Sequence, residues 1–209
     1  MVSSYVQLLG RRYMGRLDSD ADEFISFAVD GAKRMQLLIE ALLTYSRVGT
    51  RELRPEKTNL NLVFDEAAAN LSMAVESCGG VVTKDELPTL TADAQQMLRL
   101  LQNLLSNSLK FRGDERPRVH VASRREGDDW LFSVSDNGIG IPPEHRQRVF
   151  LVFQRLHGRG QYEGTGIGLA ICKRIVERHR GRIWIGEESG NGSVFHFTLP
   201  SMPREAEIR

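Results

Sequence analysis

Asp136-Asn137-Gly138-Ile139-Gly140 closes an apolar run, Trp130-Leu131-Phe132-Ser133-Val134, whose alternation predicts a strand delivering a carboxylate into a glycine turn. A carboxylate held there accepts a hydrogen bond from an exocyclic amine, and Gly138 and Gly140 let the backbone approach a flat ligand. That chemistry suits an adenine seat, although Asp-Asn-Gly is also ordinary turn chemistry. A second group lies on a predicted helix, where Asn103, Asn107 and Lys110 fall at i, i+4 and i+7 as one polar stripe. Amide oxygens are hard ligands for Mg²⁺, and a lysine one turn on supplies a point charge for phosphates. The bland alternative is a solvated asparagine face.

A third group, Gly164-Thr165-Gly166-Ile167-Gly168-Leu169, opens another helix, whose free first-turn N–H groups point at anionic oxygen. Neither G-x-x-x-x-G-K-[ST] nor a strand feeding G-x-G-x-x-G is present, so two common phosphate loops are excluded. Between the glycine groups lie Phe150 and Phe153, then a polar run, Gln154 to Glu163, with Arg155, His157, Gly158 and Gly160. That composition suits either a lid or a disordered loop.

These groups need elements to hold them. Asp93 is placed to cap the helix carrying the asparagines, with Ala94, Met97, Leu98, Leu101, Leu104, Leu105 and Ser108 along its core side. Segments 117–125 and 129–135 read as a hairpin around Glu126-Gly127-Asp128, and a helix from about Thr165 to Arg180 precedes strands 182–187 and 193–199, joined through Gly190-Asn191-Gly192. Upstream, Asn61 is placed to cap a helix through about Glu76, Gly79-Gly80 turns the chain, and Val81-Val82-Thr83 and Leu90-Thr91 read as short strands. The expected class is α+β, a sandwich of a mixed sheet with helices on one face.

Ahead of it, Val2, Val6, Leu9 and Tyr13 are at helical spacing, and Asp18-Ser19-Asp20 offers caps for a second helix. There Phe24, Ala28, Gly31, Met35, Leu38, Leu42 and Tyr45 step by four and three as a heptad seam. A helical hairpin does not bury two seams alone, so a homodimer through residues 1–47, forming a four-helix bundle, is expected; the alternative is packing on its own chain. Gly49 to Pro55 breaks the pattern, giving expected domains of 1–50, 51–203 and a tail of 204–209.

Lys+Arg 28 against Asp+Glu 27 leaves a net charge of +1, with no basic field for nucleic acid or an acidic membrane surface. Cys78 and Cys172 are far apart, which favours reduced thiols. No apolar run approaches spanning length and the N-terminus lacks a signal peptide's regions, so a soluble, cytoplasmic portion is expected. The five histidines lack paired metal-ligand spacing.

In order and spacing, the groups together resemble the ATP-binding domain of sensor histidine kinases, within the wider family shared with gyrase, Hsp90 and MutL. Asn103 to Lys110 resembles the N box, Asp136 to Gly140 the first glycine box, Phe150 and Phe153 the F box, and Gly164 to Leu169 the second glycine box. The resemblance implies a Bergerat-type sandwich with Asp136 on the adenine amine, Asn107 on Mg²⁺, and Asn103 and Lys110 near the phosphates. Gly164, Thr165, Gly166, Gly168 and Leu169 would cradle those phosphates, with Gly138, Gly140 and Phe153 in the same ATP site. Residues 1–47 are similar to most of the family's dimerisation hairpin.

The implied activity is Mg-ATP-dependent phosphorylation of histidine, with relay to a response regulator; an upstream sensor domain is absent from this chain. The family's acceptor histidine is followed, five residues on, by proline. Five residues beyond His120, His145, His157, His179 and His196 stand Arg125, Phe150, Tyr162, Trp184 and Ser201. The chain is therefore expected to begin past the acceptor segment. A non-catalytic dimerisation and nucleotide-binding module is the alternative.

Overall fold

In the computed structural model, which describes residues 2–156, 164–186 and 192–201, the chain forms two compact units, Met1–Ser46 and Arg47–Arg209. Of the readings above, His157 to Glu163 and Gly190-Asn191 lie outside the described residues.

The first unit is a helical hairpin of α1 (Val2–Tyr13) and most of α2 (Ser19–Thr50). Its turn is held by polar chemistry: Gly15 N donates to both Asp22 carboxylate oxygens at 2.8 and 2.9 Å, and Asp18 Oδ1 accepts from Ala21 N at 2.8 Å as the start of α2 requires. Gly10 lets the helices approach closely, since a side chain there would meet Val29 Cγ2 at 3.3 Å. The heptad seam is a different face of α2. Phe24 is 68% exposed, Met35 54% and Leu42 47%, and α1 buries no residue fully.

The second unit begins with the last turn of α2. Arg178 binds the carbonyls of Val48 and Arg51, so a guanidinium from α6 (Gly168–Arg178) satisfies oxygens that the helix end leaves open. The chain then forms β1 (Glu56–Asn59), which the sequence leaves without an element, paired antiparallel with β3 (Thr89–Ala92) in a two-stranded sheet. Between them come α3 (Leu60–Asn70), α4 (Ser72–Cys78) and β2 (Val81–Lys84).

The single helix expected from Asn61 to Glu76 is thus two, broken at Leu71, and its cap is Asn59, whose side chain accepts from Asn61 N at 2.9 Å. Asn61 is spent elsewhere: its amide donates to Leu87 O at 2.7 Å and accepts from Leu87 N at 3.0 Å, pinning the loop before β3.

The main sheet has the order β2-β4-β5-β7-β6, with β4 (Arg118–Glu126), β5 (Asp129–Asp136), β6 (Ile183–Ile185) and β7 (Ser193–Pro200). The β2–β4 pair is parallel and the rest antiparallel, the mixed sheet that was expected. Asp93 Oδ1 accepts from Gln96 N at 3.1 Å and starts α5 (Ala94–Lys110), as read from the sequence. Met97, Leu100 and Leu101 of α5 meet Phe132 and Phe197, whose stacked rings lie 4.7 Å apart. Each such side chain contributes about 1.5–3 kcal/mol on burial. Helix α6 starts at Gly168 rather than Thr165, because Gly164 and Gly166 take positive φ values of 147° and 71°, outside the helical range.

Candidate functional site

Helix α5, the end of β5 and the start of α6 enclose a cavity of about 250 Å³. From α5 it receives Asn103, Asn107, Ser108 and Lys110; from β5 and the following turn Asp136, Ile139, Gly140 and Ile141; from the glycine segment Gly164, Thr165, Gly166, Gly168 and Leu169. The three sequence groups, separated by up to sixty-odd residues, therefore converge on one space. Two predicted residues do not line it. Gly138 lies behind the wall, its N–H donating to Asp136 Oδ1 at 2.9 Å. Phe153 is 53% exposed, with φ 65°, and its N–H donates to Gly166 O at 3.0 Å, so it supports the glycine segment from outside. Phe150 is buried and also lies away from the lining.

At one end the carboxylate of Asp136 is held by three donors. Oδ1 accepts from Gly138 N at 2.9 Å and Ser193 N at 3.1 Å, and Oδ2 accepts from the Ser108 hydroxyl at 2.9 Å. Burial raises its pKa above the ordinary carboxylate value, and the bonds from Gly138, Ser108 and Ser193 oppose that rise. Around it Ile139, Ile141, Val149 and Phe195 make an apolar wall, so one fixed polar group stands in surroundings suited to a flat ring.

At the other end the lining is basic and amide-rich. Lys110 Nζ lies 4.2 Å from the centre of the Phe111 ring and closes over the glycine segment, where a side chain at Gly164 would meet it at 2.7 Å. Gly168 packs under Asn103, whose Oδ1 would stand 3.3 Å from an added Cβ. Gly166, at φ 71°, admits no side chain without meeting the carbonyl of Gln154. Ile167 gives α6 no side-chain cap, so the N-cap side chain does not take the N–H groups of its first turn. Among the described residues no group of three or more His, Cys, Asp or Glu forms a metal cluster.

Ser108 and Ser193 escaped the sequence reading as site residues. A hydroxyl inside the apolar stripe of α5 was the available signal for Ser108. Ser193 acts through its backbone N–H, which leaves no trace in residue type. Among the described residues, no helix is long and apolar enough to cross a membrane.

Residues 92–203 match the family described as histidine kinase-, DNA gyrase B-, and HSP90-like ATPase. Cyanobacterial phytochrome A from a Nostoc species is 49% identical over 208 residues, a match covering 100% of this chain and 27% of that protein. The chain thus spans about a quarter of the length of this relative. The nucleotide-free catalytic domain of histidine kinase ThkA superposes with a TM-score of 0.62 at 27% identity, covering 72% of this chain and 97% of that one. Full-length ShkA in complex with AMPPNP has the same fold over 96% of this chain and 46% of its own, with a TM-score of 0.69 at 22% identity.

Proposed function

Because the chain belongs to the histidine kinase-, DNA gyrase B-, and HSP90-like ATPase family, as a sensor histidine kinase ATP-binding domain, we propose that it binds Mg-ATP and donates the γ-phosphoryl group to a histidine for relay to a response regulator. The observation that carries this reading is the convergence of Asp136, the Asn103–Asn107–Lys110 stripe and the Gly164–Leu169 segment on one cavity. Asp136 accepts the adenine amine, and the apolar wall of Ile139, Ile141, Val149 and Phe195 sandwiches the ring. Lys110, Asn103 and the first-turn N–H groups of α6 take the phosphates.

The site fits Mg²⁺ with few protein ligands: the Asn107 amide oxygen is a hard donor beside the phosphate end, and this ion prefers to keep waters and substrate oxygens in its shell. When bound it supplies charge neutralisation across the phosphates. The chain's own residues do the rest. Lys110 and the α6 N–H groups stabilise charge spreading over the γ-phosphoryl oxygens as the acceptor imidazole nitrogen bonds to phosphorus and the bridging P–O bond breaks, leaving ADP. His120 and His196 stand on the sheet, and His179 is held between Ile175 O at 2.8 Å and Asp93 N at 3.1 Å. Because no histidine of this chain has proline five residues on, the acceptor is assigned to a separate helix, and dimerisation to the exposed seam of α2.

Calorimetric titration with a non-hydrolysable ATP analogue and Mg²⁺ tests the site. Saturable binding weakened at least about tenfold in Asp136→Asn is expected, the loss of a charge-assisted hydrogen bond. No binding at millimolar analogue by the folded chain would refute it. With γ-labelled ATP, label is expected on an added acceptor-helix chain and not on this one; absence of label on both would leave a nucleotide-binding regulatory module.

A further inference from the structure

The hydrogen-bond pattern around Asp136 leaves little freedom to the ligand. A carboxylate has about four lone-pair positions. Both positions on Oδ1 are taken, by Gly138 N at 2.9 Å and Ser193 N at 3.1 Å. On Oδ2 one is taken by the Ser108 hydroxyl at 2.9 Å. The Ser108 hydrogen is thereby committed, and its oxygen presents only lone pairs. Since Ser108 and Asp136 both line the cavity, and Ser108 is otherwise only 3% exposed, the closed end offers two acceptors 2.9 Å apart.

We propose that Ser108 is a specificity-determining positioning residue, whose hydroxyl turns the Asp136 end of the cavity into a paired acceptor that admits a 6-amino purine nucleotide and rejects a 6-oxo one. This rests on the adenine reading above and goes beyond it, because it assigns part of the discrimination to Ser108, which adds a second acceptor and keeps Asp136 charged. An amine brings N–H donors to the pair. An oxo group brings lone pairs against lone pairs, and the site's acceptors lose their water without replacement.

Ser108 also acts on Asp136 itself. Its hydrogen bond favours the charged carboxylate against burial. Without it Asp136 takes up a proton at higher pH, and a protonated carboxyl donates to the oxo oxygen. The charged groups facing Asp136 across the cavity are Lys110 of α5 and Arg155; β4 and β7 place Val119 and Ser193 beside it. Among the described residues no other acid lines the space.

The test is titration of the full 209-residue chain with ADP and with IDP, in Mg²⁺, from about pH 5.5 to about pH 8, as wild type, Ser108→Ala and Ser108→Thr. Wild type is expected to prefer ADP at every pH. In Ser108→Ala the ADP:IDP ratio is expected to fall about tenfold, the worth of one hydrogen bond to a charged group, and to fall further as pH drops. Ser108→Thr, which keeps the hydroxyl, is expected to restore both the ratio and its flat profile.

A ratio and profile unchanged in Ser108→Ala, with ADP still bound, overturns the role of Ser108 and leaves the nucleotide reading standing. Wild type binding neither nucleotide overturns that reading and the proposal with it. Should Ser108→Ala lose its cooperative thermal transition, Ser108→Cys, of similar size but a weak donor, carries the same comparison.

Discussion

The helical unit and the sheet unit are both written in regular amphipathic patterns, and they spend those patterns differently. In the sheet unit the stripe of α5 is consumed: Leu100, Leu104 and Leu105 are fully buried, and the facing strand residues Phe132, Val134 and Phe197 are at most 1% exposed. In the helical unit Ala32 is the only buried residue described, while Phe24, Phe27, Met35, Leu37, Ile39, Leu42 and Leu43 remain about half exposed or more. The sheet unit therefore carries its own hydrophobic free energy. The helical unit holds an apolar surface that a soluble monomer rarely keeps. Equal periodicity does not mean equal completeness: one pattern closes within its unit, and the other leaves an apolar face, which the proposed dimer would cover.

Substitutions that separate the two units sharpen this contrast. The largest effect is expected in the self-sufficient core, where Phe132→Ala removes a ring stacked at 4.7 Å on Phe197 and should cost about 3–5 kcal/mol. Denaturant unfolding should show that loss at every protein concentration. Leu42→Glu, on the exposed seam, should instead weaken self-association by about 2–3 kcal/mol, roughly 30- to 150-fold, while leaving nucleotide binding intact. Analytical ultracentrifugation reads the first part and calorimetry the second. A monomeric wild-type chain at high concentration would break the comparison, because the seam would then need no partner.

A smaller effect is expected at the start of α5. Asp93 serves two masters: Oδ1 caps the helix through Gln96 N, and Oδ2 accepts from Arg54 N at 3.2 Å, tying down the segment that leaves α2. Asp93→Ala should cost about 1–2 kcal/mol, read as a lower midpoint in thermal melting of the sheet unit with the self-association constant unchanged.

Asp93 also marks what a sequence can display. Its cap is legible because a short acid before an apolar period has one common use. Asn59 and Asn61 illustrate the opposite case. Both are short polar residues at the start of the same helix, Asn59 just before it and Asn61 in its first turn, and Asn61 is engaged by Leu87, twenty-six residues on, while Asn59 caps. β1 was illegible for a related reason, since Glu56-Lys57-Thr58-Asn59 buries only Thr58 and is a strand because β3 lies beside it. The site divides in the same way. Asp136, Asn107 and the glycines announce themselves by type and spacing, whereas Ser193 contributes an N–H that any residue but proline would supply.

The smallest effect, and the most local, concerns His179 at the end of α6. Its Nδ1–H donates to Ile175 O at 2.8 Å and Nε2 accepts from Asp93 N at 3.1 Å, so the folded state uses the neutral ring. Burial lowers its pKa below 6.5, helped by Arg178 and opposed by the Ile175 carbonyl and Asp93. For a base whose folded pKa is depressed, the unfolded state binds the proton first. Its contribution to stability is complete above about pH 6.5 and is lost as pH falls through that value, until the folded pKa is passed. Asp136 has the opposite sign: a raised carboxyl pKa makes the folded state the better proton binder, so its contribution grows on acidification. Thermal melts of wild type alone mix the two. Subtracting those of His179→Gln, which leaves Asp136 untouched, should isolate a loss of stability below about pH 6.5 in the wild type that the variant lacks. Parallel pH profiles for the two proteins would mean that the ring is not held neutral between the two helices, and that α6 is fastened to the start of α5 by packing alone.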